Sequence, residues 1–303
     1  MTRFKNTLVT GAHGLVGSTI PAKYRPTSKE LNLMDIDSII KYLNSNNVDS
    51  IIHCAAKVGG IGANINNAGE FFYGNIVMNT NLLEAARICG VSKVVSFMST
   101  CVFPADAIYP LTSDQIHNGE PHDTNYPYAY AKRMLDVMGR AYQKQYGTNF
   151  VTVIPCNAYG PNDNYNLESS HAIPAIIHKC FLAKKNGTDL ELWGTGRPSR
   201  EFIFSKDLGQ LSLWALENYD DLEPLVLSVD KEENMHDIAE LICKHMDFAG
   251  KIIYNQQMEG QLRKPSDNST LRSLIPEFEF TPLEEGIQET VEWFLKNYEV
   301  CRK

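Results

Sequence analysis

Tyr128-Ala129-Tyr130-Ala131-Lys132 sets a phenol and an ammonium four residues apart, and on a helix that spacing puts both on one face. A phenol with a pKa near 10 is a poor acid–base at neutral pH, but a neighbouring cation favours its ionised form. Lys132 is therefore expected to lower the Tyr128 phenol toward the working range. Ser99 and Thr100 follow the apolar run Val94–Met98, where a hydroxyl can hydrogen-bond a carbonyl undergoing reduction. A second cluster, Thr10-Gly11-Ala12-His13-Gly14-Leu15-Val16-Gly17, spaces its glycines as G-x-x-G-x-x-G after a β-prone run. Gly11 and Gly14 let the backbone turn tightly and approach a pyrophosphate, while Gly17 lets the following helix pack on the strand. Together these residues point to carbonyl–alcohol redox chemistry on a bound dinucleotide.

A dinucleotide's ribose belongs at the end of the second strand, where an acid selects NAD by binding the hydroxyls. Here Tyr24–Lys29 carries Arg25, Ser28 and Lys29, with no acid before Glu30. That composition suits a 2′-phosphate, so NADP(H) is the expected cofactor. Thr27 lies only ten residues beyond Gly17, with Pro21 and Pro26 between them. The first helix and second strand must therefore be abbreviated.

The elements that position these groups are legible from the apolar pattern. Thr7–Thr10, Ile51–Ala55, Val94–Met98 and Phe150–Ile154 read as short buried parallel strands. Ile36–Leu43, Glu70–Cys89 and Ala129–Tyr146 carry apolar residues at helical spacing. Strand–helix alternation predicts an α/β protein with a Rossmann-type doubly wound parallel sheet. After about residue 155 the alternation loosens into polar loops around WGTGRPSREF, with helices near Ile173–Lys185, Asp207–Glu217, His236–Met246 and Leu283–Tyr298. The expected organisation is a cofactor domain over residues 1–160 and a smaller α/β substrate lobe over 161–303, with some later segments returning to the sheet.

Composition excludes several classes. The chain has 303 residues, 43% hydrophobic and 21% charged, with a net charge of −8. This is ordinary globular composition, and the acidic balance argues against a nucleic-acid binder. Seven cysteines form no C-x-x-C pair and read as free thiols in a reducing compartment. No metal site is expected. The amino-terminal segment lacks the apolar core of a signal peptide, and no apolar run approaches a membrane span, so a cytoplasmic location without membrane partners is expected.

The glycine turn, the strand-end Ser99 and Tyr128-x-x-x-Lys132 resemble the extended short-chain dehydrogenases/reductases. AAKVGGI (Ala55–Ile61), STCVFP (Ser99–Pro104), HNGEPH, YAYAKRM, PCNAYGPNDNYN, SSHAIPAIIHK and WGTGRPSREFIF are similar to the GDP-L-fucose synthase branch of that family, closest to its eukaryotic members. The resemblance implies 3,5-epimerisation and 4-reduction of a nucleotide-linked 4-keto-6-deoxy sugar. It implies that Cys101 and His171 exchange protons at carbons 3 and 5. Ser99, Tyr128 and Lys132 would serve the ketone oxygen and its reduction. For NADP(H) it implies Gly11, His13, Gly14, Leu15, Val16, Gly17, Ser28, Lys29, Ala55, Ala56, Lys57, Tyr128, Lys132, Pro155, Asn157 and Ala158. For the nucleotide-sugar it implies Asn157, Lys179, Trp193, Arg200 and Lys264. His13 and Ser28 stand where bacterial members carry arginines for the 2′-phosphate, whereas Ser28–Lys29 matches the eukaryotic pattern.

Family members commonly dimerise through two helices, here Glu70–Cys89 and Tyr128–Tyr146, with Phe71, Phe72, Ile76, Met134, Leu135 and Met138 in amphipathic spacing. Two other readings stay open. One is a related reductase/epimerase using another nucleotide or a single epimerisation. The other is a non-catalytic NADP(H)-sensing module, against which the complete Ser99/Tyr128/Lys132 and Cys101/His171 sets argue.

Overall fold

The computed structural model describes residues 3–256 and 261–303. Strands and helices alternate through β1 (Thr7–Thr10), α1 (Ile36–Ser45), β2 (Ser50–His53), α2 (Ile61–Asn66), α3 (Ala68–Ile88), β3 (Lys93–Phe97), α4 (Tyr126–Tyr146) and β4 (Phe150–Pro155). The chain continues through β5 (Asn157–Tyr159), α5 (Ala172–Asn186), β6 (Leu190–Leu192), β7 (Ser199–Arg200), β8 (Phe202–Phe204), α6 (Ser205–Asn218) and β9 (Leu225–Leu227). It ends with β10 (Glu233–Asn234), α7 (Met235–His245), β11 (Ile252–Tyr254), α8 (Ser269–Leu274) and α9 (Leu283–Asn297).

The central sheet has the order β1-β2-β3-β4-β9, with every neighbouring pair parallel. Successive strand residues face opposite ways, and both faces are apolar. Leu8, Ile51, Val94 and Ile154 pack on one side with Ile39 and Leu43 of α1, Leu82 and Leu83 of α3, and Leu135 of α4. Val9, Ile52, Val95 and Val153 pack on the other with Leu208, Leu211 and Leu216 of α6 and Leu271 of α8. Continuous apolar strands covered on both faces are what a parallel sheet requires.

The shortened first crossover has a definite form. Gly17–Thr19 makes a single 3-10 turn, and Tyr24 contributes one bridge beside Leu8. Val9 N–H donates to Tyr24 O at 2.9 Å, and Tyr24 N–H donates to Thr7 O at 3.1 Å. The chain thus leaves β1 toward one side and returns as β2 on the other. The crevice at the carboxyl ends of β1 and β2 is the topological switch point, where open α/β sheets bind ligands.

A third core holds Ile173, Ile176 and Ile177 of α5, Ile238 and Ile242 of α7, and Ile287, Val291 and Phe294 of α9. Its short strands depart from the loops expected around WGTGRPSREF: β7 pairs β10, β8 pairs β5 and β6 pairs β11. Strands of two or three residues leave too little alternation to read from sequence. The segment after residue 160 also returns to the central sheet, through β9 as its fifth strand and α6 across one face.

Gly17 shows how tightly the first turn is built. A Cβ there would lie 2.3 Å from Gly11 O. Gly17→Ala is expected to cost about 1–3 kcal/mol of stability, the usual range for forced overpacking, read as a lower urea midpoint in chemical denaturation.

Candidate active site

The glycine turn presents the features a pyrophosphate needs. Gly11 has φ +65° and packs so closely that a Cβ would come 2.7 Å from Ala55 N. Gly14 differs, because a Cβ there would meet only Gly11 O, at 3.4 Å. The protein interior does not demand glycine at position 14, so the constraint lies outside it, at the turn's open crest. Gly14 N–H donates to Gly11 O at 3.0 Å, while the N–H groups of Leu15 and Val16 meet no protein acceptor among the described residues. Free amides at a side-chain-free crest fit a phosphate diester.

Behind the turn, Arg25 Nη2 donates to the carbonyls of Ala12, Gly17 and Ser18 at 2.9, 3.3 and 3.1 Å. This corrects the expectation that Arg25 serves a 2′-phosphate: that nitrogen braces the turn instead. His13, Ser28 and Lys29 are exposed near the end of the bridge segment. Glu30, the one nearby acid, accepts from Thr27 N–H and Oγ1 at 2.7 and 2.8 Å. These bonds, with His13 nearby, hold its carboxyl below the usual range.

At the same edge of the sheet, Ala55, Ala56 and Lys57 follow β2, and Pro155, Asn157 and Ala158 run from β4 into β5. Lys57 is fixed by its backbone: its N–H donates to Asn75 Oδ1 at 3.0 Å, and its carbonyl accepts from Asn75 Nδ2 at 2.9 Å. Its ammonium pairs with Glu70 at 2.6 Å. The next turn joins the approach to α5, where Gly60 N–H donates to Ser169 O at 2.9 Å.

Helix α4 delivers Tyr128 and Lys132. Pro127 lies in its first turn, where a missing N–H costs nothing, and Gly147 at φ 71° caps the far end, donating to Gln143 O at 2.9 Å. Lys132 is 2% exposed, and its Nζ donates to Phe97 O at 2.8 Å. Burial brings its pKa down to about 8. Burial pushes Tyr128 well above the ordinary phenol, with the nearby Cys101 adding to the rise and Ser99 opposing it. The expectation that Lys132 lowers the phenol is therefore not met, because desolvation dominates and the ammonium is turned to Phe97 O.

Ser99 lies two residues beyond β3 and caps a short turn, Thr100–Val102, its Oγ accepting from Cys101 N–H at 3.3 Å. Cys101 is partly buried. Lys264 Nζ donates to Thr100 O at 2.9 Å, and Lys264 interacts electrostatically with both Cys101 and Arg200. Asn157 donates to Glu201 O through its backbone N–H at 3.2 Å and its side-chain Nδ2 at 2.8 Å. The Glu201 carboxylate accepts from Ser266 N–H, which holds the Lys264 segment in place. Lys179 Nζ sits 4.7 Å from the ring centroid of Trp193, itself 57% exposed. His171 is the open N-cap of α5 and is exposed, with neighbouring protein holding its pKa below the usual histidine value. The structure thus gathers Ser99, Cys101, Tyr128, Arg200 and Lys264 into one cluster, pairs Lys179 with Trp193, and ties His171's approach to the loop after β2.

Residues 7–229 match Epimerase, the NAD dependent epimerase/dehydratase family. The chain belongs to that family. Among its relatives, a GDP-L-fucose synthase of Dictyostelium discoideum is 43% identical over 99% of this chain and 98% of its own. A probable GDP-L-fucose synthase of Drosophila melanogaster is 38% identical over 99% of this chain and all of its own. The crystal structure of a GDP-L-fucose synthetase from Naegleria fowleri bound to NADP superposes with a TM-score of 0.94 at 39% identity, covering 100% of this chain and 97% of that one.

Within this epimerase framework the sequence reading missed a buried polar chain. Ala55 N–H donates to Thr10 Oγ1 at 3.3 Å, Thr10 Oγ1 lies 2.7 Å from His53 Nδ1, and His53 Nε2 lies 3.0 Å from Asn79 Oδ1. Asn79 Nδ2 donates to Ala131 O at 2.9 Å. That last bond leaves Oδ1 as the acceptor, so His53 donates from Nε2 and accepts Thr10's proton at Nδ1. The available signal was a histidine ending an apolar strand and asparagines four apart in α3, at 75 and 79.

Burial, with the Lys132 charge nearby, lowers His53 to about 3 from the ordinary 6.5. Between those values the unfolded chain binds a proton that the folded chain refuses, so stability falls as pH drops through that window. His53→Gln is expected to flatten the fall of the urea midpoint between about pH 7 and about pH 5 relative to the unsubstituted chain.

Proposed function

We infer that the chain is a bifunctional 3,5-epimerase and NADPH-dependent 4-reductase that converts GDP-4-keto-6-deoxy-D-mannose to GDP-L-fucose. The observation that carries this reading is the turn after β3, which brings the Ser99 hydroxyl and the Cys101 thiol beside the Tyr128 phenol. Near-full-length identity to GDP-L-fucose synthases supports it.

A ketone at carbon 4 acidifies the hydrogens on carbons 3 and 5, and each inversion needs a base on one face and an acid on the other. Cys101 and His171 take these roles, Cys101 removing the proton and His171 returning one on the opposite face. Ser99 and Tyr128 donate to the ketone oxygen, where charge gathers in the enolate. NADPH supplies the hydride to carbon 4 when bound. Tyr128 delivers the proton to that oxygen, and burial keeps the phenol protonated until then. Lys132 holds the nicotinamide-side ribose, and Arg200, Lys264, Lys179 and Trp193 hold the nucleotide-sugar, with Asn157 between sugar and cofactor. Gly11, His13, Gly14, Leu15, Val16 and Gly17 would hold the cofactor's diphosphate. Ser28 and Lys29 meet the 2′-phosphate, because Glu30 is occupied with Thr27. The backbone of Ala55, Ala56, Lys57, Pro155 and Ala158 lines the remaining cofactor surface.

The same proposal covers the division into a cofactor domain over 1–160 and a mainly substrate lobe over 161–303. It also covers a cytoplasmic location, supported by seven free cysteines. Among the described residues no helix is long and apolar enough to cross a membrane.

A homodimer is proposed through the outer faces of α3 and α4. Leu135 lies in the subunit core and Met138 packs against it, so they are unsuited to the interface, whereas Phe72, Tyr73 and Val137 are exposed. Light scattering should give about twice the 34.1 kDa subunit mass, and Tyr73→Arg with Val137→Arg should return it to one subunit. A monomer before substitution excludes the dimer.

The function itself is tested with GDP-4-keto-6-deoxy-D-mannose and NADPH in deuterium oxide. NADPH oxidation with deuterium at both carbons 3 and 5 is expected. Oxidation without double exchange would leave a reductase of narrower scope, and tight NADPH binding without turnover would leave a sensor. Cys101→Ser should suppress exchange more than hydride transfer to an already epimerised ketone, and Tyr128→Phe should impair reduction, each by roughly a hundredfold or more.

A further inference from the structure

The peptide carbonyls on both sides of Cys101 are held by cations, one partly buried and one buried. Lys264 Nζ donates to Thr100 O at 2.9 Å, and Arg133 Nε donates to Val102 O at 2.7 Å. Arg133 Nη1 also donates to Gly119 O at 2.8 Å, so one guanidinium joins the turn after β3 to the loop that precedes α4. Arg133 is 4% exposed and lies 5.2 Å over the Tyr130 ring. Its Nη2 is buried without a hydrogen-bond partner, and the side chain pairs with no carboxylate among the described residues. A buried cation facing only neutral carbonyls is expensive, and stability alone does not account for keeping it in a protein core.

Its place in the sequence supplies the reason. Arg133 directly follows Lys132, about 100° further round α4. One face of the helix carries Tyr128 and Lys132, and the adjacent face grips the turn that carries Cys101.

We propose that Arg133 is a positioning residue for Cys101, fixing the thiol's turn to the helix that carries Tyr128 and Lys132. The proposal rests on the reading of Cys101 as a proton-exchanging group and deepens it. In each exchange the C–H bond at carbon 3 or 5 breaks, an S–H bond forms at Cys101, and the electron pair passes to the ketone oxygen as the enolate; a new C–H bond then forms on the opposite face with a proton from His171 as the pair returns to that carbon. The negative charge therefore starts on sulphur, one residue from a carbonyl held by Arg133. Reduction needs no charge on this sulphur, so Arg133 separates the two halves of the reaction.

Arg133→Met keeps the apolar stem and removes the charge and both hydrogen bonds. In deuterium oxide, exchange at carbons 3 and 5 should fall roughly ten- to a hundredfold, the range expected on losing a charge-assisted hydrogen bond that orients a reacting group. Hydride transfer to an already epimerised ketone should change less than about twofold. Arg133→Lys keeps the charge but serves only one of the two carbonyls, so it should recover part of the exchange. Equal loss of exchange and hydride transfer in Arg133→Met overturns the proposal.

Peptide-resolved alkylation of Cys101 with iodoacetamide gives a second readout that needs no substrate. Its rate at one fixed pH should rise severalfold in Arg133→Met as the turn loosens, and an unchanged rate overturns the proposal. Should Arg133→Met fail to fold, Arg133→Lys carries both comparisons, and an unchanged exchange-to-transfer ratio with an unchanged alkylation rate overturns the proposal. Absence of exchange in the unsubstituted chain would defeat the epimerase reading itself, and the alkylation rate would still report on Arg133.

Discussion

The site depends on a hydrogen-bond chain that runs from the floor of the cofactor crevice, through the sheet, to α4. Ala55 N–H, Thr10, His53 and Asn79 end on the carbonyl of Ala131, one residue before Lys132. Each link satisfies the next, and none is exposed to water that would replace a lost partner. Breaking one link leaves buried donors or acceptors unpaired, at about 1–3 kcal/mol each. The chain therefore fixes α4 against β1 and β2 more specifically than apolar contact does, since apolar packing tolerates small slides and a polar chain does not. Gly139 reinforces the fit from the other end, where a Cβ would meet Phe150 O at 2.8 Å.

Burial, more than ion pairing, sets the protonation states at this site. It lowers Lys132, raises Tyr128 and keeps His53 neutral. The common effect is to disfavour charge until a substrate arrives to share it. A protonated phenol is the form from which proton delivery can begin. The overall charge of −8 does not describe this interior, because the groups around Cys101 are cationic: Lys264, Arg200 and Arg133. A local basic cluster of this kind suits an anionic nucleotide-sugar in an acidic protein.

The larger elements were legible because their signals are long or repeated. Four apolar runs gave four strands of the sheet, and the glycine spacing and Tyr128-x-x-x-Lys132 lie where the expected elements placed them. Even the abbreviated first crossover followed from two prolines within a few residues. The strands of two and three residues beyond position 155 escaped, because alternation over so short a stretch carries no period. The His53–Asn79 link escaped for another reason: a buried histidine and a surface one are the same letter, and only the sheet register that puts Thr10 opposite His53 distinguishes them. Arg25 misled in the same way, since its composition suggested a phosphate and its geometry braces the turn.

The position of Cys101 shows why both reactions belong on one fold. Epimerisation and reduction act on neighbouring carbons around a single ketone oxygen, so their proton carriers must reach the same small volume without exchanging roles. Ser99 lies just past a strand of the sheet, Cys101 follows it on a turn, and Tyr128 comes from a helix packed beside that turn. The strand fixes the hydroxyl and the helix fixes the phenol. Only the turn has freedom to misplace its thiol. That freedom is restrained from both sides, through Thr100 O by a lysine far along the chain and through Val102 O by an arginine on the reducing helix. On the proposed roles, epimerisation thereby gains a fixed thiol without a new rigid element, because the turn borrows the order of the helix that serves reduction.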